Sequence, residues 1–96
     1  MTVYLVAQLE IDDRDQYSKY SDGFMAVFSQ FNGTLLAVDE ETEALEGNWA
    51  FSRTVLISFP TEADAKSWYN SDAYQQLARH RFESSSANIV LVKGFE

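Results

Sequence analysis

The sequence of 96 residues contains no cysteine, which excludes disulfide bonds and thiolate metal sites. It also has no apolar stretch near the roughly 20 residues that a membrane-spanning helix needs, and no basic region followed by a long apolar run at its N-terminus. Zinc-ligand spacings, phosphate-cradling glycine loops, nucleophile elbows and dinucleotide fingerprints are missing too. We therefore expect a cytoplasmic protein without a metal or an organic cofactor.

Positive charge is scarce in this chain. Seven lysines and arginines stand against fifteen aspartates and glutamates, which gives a formal net charge of −8. A chain of this sign is repelled by phosphate backbones and by anionic lipid surfaces. The composition therefore argues against nucleic acid or a membrane as a partner.

Apolar side chains, in contrast, are abundant for so short a chain. Hydrophobic residues make up 46% of the sequence and aromatic residues 15%. The length predicts one domain over residues 1–96, and the apolar content predicts that this domain buries a well-filled core.

Apolar spacing predicts four strands and two helices. The strands cover residues 3–9, 34–38, 53–59 and 89–92, and the helices begin after the capping residues Asp13 and Thr61. Asp13 and Gln16 have the spacing of a capping box. Asn32-Gly33 ends the first helix, with glycine in the left-handed conformation, and Asn70-Ser71 breaks the second.

Shorter connections complete this prediction. Leu45 begins a short extended piece, and Ser84 to Ser86 form a loop before the last strand. The order strand, helix, strand, strand, helix, strand is that of a ferredoxin-like protomer, an α+β fold with a four-stranded antiparallel sheet in two layers.

The predicted strands are apolar on both faces. In the first strand Val3 and Leu5 point one way while Tyr4 and Val6 point the other. Helices can cover only one face of such a sheet, and the other would expose several hundred Å² of apolar surface. We therefore expect a homodimer in which the free sheet face packs on the same face of a second copy.

Several motifs together resemble one family. They are Tyr17-x-x-Tyr20 after Asp13, Leu45-Glu46-Gly47-x-Trp49, Arg53 leading to Phe59-Pro60, Trp68-Tyr69-x-Ser71-x-x-Tyr74, Arg81, and Leu91-Val92-x-Gly94. They resemble the domain of unknown function 1330 family, within the dimeric α+β barrel superfamily. The resemblance implies a ferredoxin-like protomer and a sheet-to-sheet dimer. It implies no defined activity, although relatives in that superfamily include cofactor-independent monooxygenases, muconolactone isomerases and dehydratases.

The chain departs from that family in two places. Val38-Asp39-Glu40-Glu41 stands where members often have a basic or glycine-rich connection, and Phe51 stands where they often have proline. An anion site on this connection is therefore not expected. The acidic residues there lack the glycine of a calcium-binding loop, so a solvated loop is the simpler interpretation.

Two arginines lie on otherwise apolar faces. Arg53 begins a strand whose same-side neighbours are apolar, and Arg81 falls on the apolar stripe of the last helix, which Phe82 also joins. Burying a guanidinium is costly unless it meets a carboxylate, a carbonyl or a ligand anion. Each could bind a carboxylate or enolate of a small ligand, but we favour a structural ion pair with an acidic residue such as Glu46 or Glu83.

Proton transfer has two candidates, His80 and Tyr17. His80 is the only histidine, and its imidazole titrates in the physiological range. It falls one step off the apolar stripe of its helix, so an exposed or rim position is the alternative interpretation. Neither residue comes with a convincing nucleophile or a paired acid and base.

Aromatic residues mark the helix faces that turn towards the sheet. Tyr20, Trp68 and Tyr74 could line a pocket for a planar ligand, or could simply pack in the core with their polar groups at its rim. Two functions remain open. One is a cofactor-independent, monooxygenase- or isomerase-like enzyme that acts on a carbonyl-bearing or aromatic acid, and the other is a non-catalytic ligand-binding or accessory homodimer.

Overall fold

A single antiparallel sheet forms one layer of the protein, in a computed structural model that describes residues 1–95. Its strands are β1 (Val3–Ile11), β2 (Thr34–Asp39), β3 (Arg53–Phe59) and β4 (Ser85–Lys93). They lie in the order β2-β3-β1-β4, and every neighbouring pair is antiparallel. The helices lie between β1 and β2 and between β3 and β4 in the chain, so the predicted ferredoxin-like α+β fold is confirmed.

Each helix begins at a polar residue whose side chain accepts a backbone N–H of the first turn. The helices are α1 (Arg14–Phe28), α2 (Glu62–Tyr69) and α3 (Asp72–Ser84), and their caps are Asp13, Thr61 and Ser71. Such a cap satisfies an otherwise unpaired donor and is typically worth about 1 kcal/mol. The predicted break at Asn70-Ser71 is confirmed. Of the helices in residues 1–95, none combines the length and apolar character needed to cross a membrane.

Gln16 joins α1 to α3, which pack against each other. Its backbone N–H donates to Asp13 as predicted, but its side-chain Nε2 lies 2.8 Å from Nδ1 of His80 and 3.0 Å from a carboxylate oxygen of Glu83. The backbone N–H of Asp13 donates instead to the carbonyl of Ser84, at 3.2 Å. The reciprocal half of the predicted capping box is therefore wrong, because the Asp13 N–H and the side chain of Gln16 both bond to groups of α3 instead of to each other.

No loop separates α3 from β4, so the predicted loop over residues 84–86 is wrong and β4 begins earlier than expected. The hydroxyls of Ser84 and Ser85 donate to the carbonyls of His80 and Arg81, both at 2.6 Å. These bonds satisfy carbonyls at the helix end, which lets the chain pass directly into the strand.

Gly33 is needed for close packing rather than for its backbone angle. Within residues 1–95 the only glycine with positive φ is Gly47, at 70°, so the left-handed conformation predicted for Gly33 is wrong. A Cβ on Gly33 would lie 2.5 Å from Phe28 and 2.7 Å from Phe59. The extended piece predicted at Leu45 does not form either, since residues 40–52 contain no helix or strand.

The sheet has an inner face, which the helices cover, and an outer face, which they leave free. On the inner face Val3, Leu5, Ala7 and Leu9 of β1 are at most 5% exposed. The outer face carries the apolar side chains of Tyr4, Val6, Leu56, Val90 and Val92, which the strand register brings together. Val90 is 55% exposed, so both faces are apolar, as predicted, and one is uncovered.

A bulge turns two residues of β2 towards the helices. It lies between Leu35 and Ala37, so that Leu35 opposes Ile57 and Val38 opposes Val55, both on the inner face. Leu35 and Val38 remain exposed nevertheless. The inner face is therefore uncovered along β2.

Candidate functional site

A cavity of about 210 Å³ lies between the inner face of the sheet and the helices. Its floor comes from β1 and β3, and aromatic side chains of the three helices form its walls. Met25 of α1 and Leu35 and Val38 of β2 line it while remaining exposed, so the cavity opens between α1 and β2. A largely apolar cleft of this kind is the usual setting for a small ligand.

Trp68 is both the centre of the aromatic core and a wall of the cavity. It is 2% exposed, and its ring centroid lies 4.2 Å from that of Tyr74, 5.6 Å from those of Phe28 and Phe59, and 6.2 Å from that of Phe24. Its indole N–H is buried and has no acceptor among residues 1–95. An unpaired buried donor is unusual in a folded protein and calls for an explanation.

Tyr20 and Tyr74 form a buried pair of phenols in the same wall. Their hydroxyl oxygens are 2.9 Å apart. Burial raises the pKa of both phenols, and the charge of Arg81 offsets only part of this effect at Tyr74. Both hydroxyls therefore stay neutral near pH 7, where they can donate hydrogen bonds but cannot act as bases.

Arg81 is a buried charge without a counter-ion. It is 5% exposed, and no carboxylate among residues 1–95 forms an ion pair with it. Its guanidinium lies 5.8 Å from the ring centroid of Tyr20 and 4.8 Å from that of Phe82. Its Nε has no acceptor in the part of the chain that the structure describes. Burial lowers the pKa of Arg81, but the phenols of Tyr74 and Tyr20 more than compensate and the net pKa is raised. The structural ion pair that we favoured is therefore absent at Arg81.

Phe82 does not share the buried stripe of Arg81, and its predicted place there is wrong. It is 51% exposed. Successive residues of a helix are rotated by about 100°, which carries Phe82 out of the stripe that Tyr74, Ala78 and Arg81 form.

Arg53, in contrast, does form a structural ion pair. Its guanidinium pairs with the carboxylate of Glu40, which also lies 3.6 Å from Arg14. The Arg53 side chain lines the cavity, and its guanidinium lies 5.5 Å from the ring centroid of Tyr17. Its Nε is buried and has no acceptor among the described residues. Glu40 is a different partner from the acidic residues that the sequence suggested.

His80 lies outside the cavity. It is half-buried, its Nδ1 contacts Gln16, and it is not among the cavity-lining residues. The cavity brings together the other predicted site residues, namely Tyr17, Tyr20, Arg53, Trp68, Tyr74 and Arg81. Sequence reasoning missed Ser21, Met25, Leu35 and Val38 near the opening. Among residues 1–95 no group of three or more histidine and acidic side chains could hold a metal ion.

The sheet order and the enclosed cavity define a ferredoxin-like α+β protein with room for a small ligand. Three solved structures have the same fold. A protein of unknown function from Rhodopseudomonas palustris is 12% identical over 99% of this chain and 83% of its own, with a TM-score of 0.80. A dimeric ferredoxin-like protein of unknown function from Jannaschia sp. is 12% identical over 98% and 100%, with a TM-score of 0.75. SnoaB, a cofactor-independent oxygenase from Streptomyces nogalater, is 12% identical over 99% and 94%, with a TM-score of 0.70.

The family itself is shown by sequence. The model of the family described as "Domain of unknown function (DUF1330)" matches residues 2–95, and the chain belongs to that family. No curated protein matches the chain. At 12% identity the solved structures establish the shared fold alone.

Proposed function

We propose that the protein binds a planar aromatic or carbonyl-bearing acid in the cavity, with the acidic group on Arg81. The carrying observation is that the charge of Arg81 is 5% exposed and has no counter-ion among residues 1–95. Enclosing an ion costs several kcal/mol unless an opposite charge compensates, and a carboxylate or enolate of a ligand would supply that charge. The aromatic walls suit a flat molecule.

In the catalytic form of this proposal, the cavity is the active site of a cofactor-independent monooxygenase- or isomerase-like enzyme. Its reaction passes through an enolate of the bound acid. Arg81 and the neutral hydroxyl of Tyr74 are donors that could stabilise negative charge on an enolate oxygen. Tyr17, which lines the same cavity, stays the proposed proton-transfer group: its hydroxyl would pass the C–H proton of the ligand to solvent as the enolate forms. His80 is left out. The cofactor-independent oxygenase SnoaB, with a similar fold, supports this form by analogy only.

The alternative is a protein that binds the acid without converting it. One observation favours it: among residues 1–95 no carboxylate or imidazole lines the cavity. Proton abstraction usually relies on such groups. The residues that line the cavity are therefore better suited to binding an acid than to converting it.

We also propose that the protein is a homodimer through the outer face of the sheet. Tyr4, Val90 and Val92 are 38%, 55% and 47% exposed there, next to Val6 and Leu56. Burying apolar surface is worth roughly 25 cal/mol per Å². Packing against the same face of a second copy would therefore stabilise this face. The relative from Jannaschia sp. is described as dimeric, which supports the proposal.

Replacing Arg81 by methionine is expected to abolish acid binding without lowering the melting temperature. Methionine fills the space of the arginine stem, and removing an unpaired buried charge relieves its desolvation cost. Benzoate should therefore raise the melting temperature of the wild type but not that of the Arg81→Met variant. Scanning fluorimetry across a benzoate titration measures both effects.

Arg79→Met is the matched control, since Arg79 lies on the same helix but is exposed. This variant should respond to benzoate as the wild type does. An equal response in Arg81→Met, or no response in the wild type, would overturn the proposed site. A large fall in the melting temperature of Arg81→Met would instead make Arg81 a structural residue.

The catalytic form predicts that the protein accelerates exchange of acidic C–H protons. Phenylpyruvate carries a carboxylate next to a ketone, so its enolate would lie against the donors of Arg81 and Tyr74. In D₂O the wild type should exchange the methylene protons of phenylpyruvate faster than buffer does, and Arg81→Met should not. Proton NMR follows this exchange. If the protein binds phenylpyruvate but its methylene protons exchange only as fast as in buffer, the catalytic form is ruled out and the non-catalytic binding protein remains.

A further inference from the structure

Of the polar side chains that line the cavity within residues 1–95, three can donate hydrogen bonds but cannot accept them, and the others are hydroxyls, which do both. Arg53, Trp68 and Arg81 each keep a buried N–H that has no acceptor among residues 1–95. Guanidinium and indole groups donate and never accept. The side chains of Arg53, Trp68 and Arg81 in the cavity walls therefore match acceptors rather than donors on a ligand.

The two arginines lie at different places along the cavity wall. The Arg53 guanidinium is 5.5 Å from the ring centroid of Tyr17, and that of Arg81 is 5.8 Å from the ring centroid of Tyr20. The two tyrosine rings are themselves 5.4 Å apart, centroid to centroid. The two guanidiniums therefore lie over different rings of the wall, and a ligand can meet them as separate contacts.

The two ends also differ in charge. The carboxylate of Glu40 neutralises Arg53, whereas Arg81 has no counter-ion among residues 1–95. Arg14 approaches the same carboxylate at 3.6 Å, but its side chain is 70% exposed and solvent screens it. The cavity thus offers one uncompensated positive charge, at Arg81, and a neutral donor end at Arg53.

The size of the cavity limits the ligand to about one ring. An apolar cavity of about 150 Å³ holds a benzene molecule. The volume here is about 210 Å³, which leaves room for small substituents on a single ring. Anything larger would have to extend through the opening beside Met25 and Leu35.

We propose that the ligand is a monoanion built on one aromatic ring, with its anionic group on Arg81 and an uncharged acceptor, such as a carbonyl, at Arg53. This rests on the proposed function, because it assumes that the cavity binds an aromatic acid. A second carboxylate would meet an arginine whose charge Glu40 already neutralises, and a neutral molecule would leave Arg81 without a counter-ion.

Three probes of the same shape test the charge requirement. They are para-acetylbenzoate, terephthalate and para-diacetylbenzene, with one, two and no negative charges on the same ring positions. By isothermal titration calorimetry on the wild type, para-acetylbenzoate should bind at least about fivefold more tightly than either of the others, which corresponds to a difference near 1 kcal/mol.

Glu40→Gln tests the origin of this preference. Without the carboxylate, Arg53 becomes a second uncompensated charge, and terephthalate should gain affinity relative to para-acetylbenzoate by about fivefold or more. Glu41→Gln is the matched control, because Glu41 is a neighbour in the same loop that forms no ion pair among residues 1–95. It should leave the affinity ratio unchanged.

The outcomes separate this inference from the proposed function. If terephthalate binds the wild type as tightly as para-acetylbenzoate, or if Glu40→Gln leaves the ratio unchanged, the monoanion assignment is overturned while acid binding stands. If para-diacetylbenzene binds as tightly as para-acetylbenzoate, or if neither anion binds, the assignment and the proposed function both fail.

Discussion

Replacing Val90 by glutamate is expected to convert a dimer of about twice the 10.9 kDa chain mass into a monomer. Val90 lies on the outer face opposite Val6 and is 55% exposed, so the single chain accommodates glutamate without strain. In a sheet-to-sheet interface the same carboxylate would be buried without a partner, at a cost of several kcal/mol. Light scattering after size-exclusion chromatography, at micromolar protein, measures the mass.

Ala26→Glu is the control for this change, because Ala26 is an exposed apolar residue on α1, away from the outer face. It should leave the mass at that of the dimer, and circular dichroism should show both variants folded. A wild type that elutes as a monomer, or a Val90→Glu variant that stays dimeric, would refute an interface on the outer face.

Replacing Trp68 by alanine is expected to remove about 3–5 kcal/mol of the free energy of unfolding. That is a large part of the roughly 5–15 kcal/mol that stabilises a typical domain. Trp68 is 2% exposed and contacts aromatic rings from α1, β3 and α3, so no neighbour can fill the space that it leaves. Urea unfolding followed by far-UV circular dichroism measures the loss at matched protein concentrations.

Phe82→Ala serves as the control, since Phe82 is a large aromatic residue of α3 that is 51% exposed. Surface changes of this kind usually fall within about 0.5 kcal/mol. If Trp68→Ala cost no more than Phe82→Ala, the aromatic cluster around Trp68 would not be the core of the protein.

The fold followed from sequence because local signals agreed with one another. Asp13, Thr61 and Ser71 cap the three helices as their spacing indicated, and apolar periodicity placed the strands. The two-faced apolar pattern of β1 also predicted an uncovered sheet face. These features depend on residues close in the chain, which is why they could be read without a structure.

Features that depend on contacts between distant elements could not be predicted. Gly33 is required by the rings of Phe28 and Phe59, and only the packed structure brings these together. The bulge in β2 turns Val38 towards the cavity, although strict alternation would have kept it with Leu36. No local pattern marked either feature.

The site was predictable in part. Tyr20, Trp68 and Tyr74 meet at the cavity because the buried stripes of their helices face the same sheet. Glu40 was missed as the partner of Arg53, because it lies beside Arg53 only in the register that the bulge of β2 creates, in which Asp39 pairs with Thr54.

Arg81 shows the limit of such reasoning. With fifteen acidic residues in the chain, a counter-ion was the natural expectation. Whether a carboxylate reaches a given side chain depends on the tertiary structure, and here none among residues 1–95 does. The unpaired charge became evident only once burial and partners were known.

A crystal structure of the protein grown with para-acetylbenzoate tests the central claim most directly. The account predicts one ligand in the cavity between sheet and helices, its carboxylate hydrogen-bonded to the guanidinium of Arg81 and its ring against the aromatic walls. A cavity that excludes the ligand, with Arg81 instead paired to a carboxylate of this chain or of a second copy, would contradict the account.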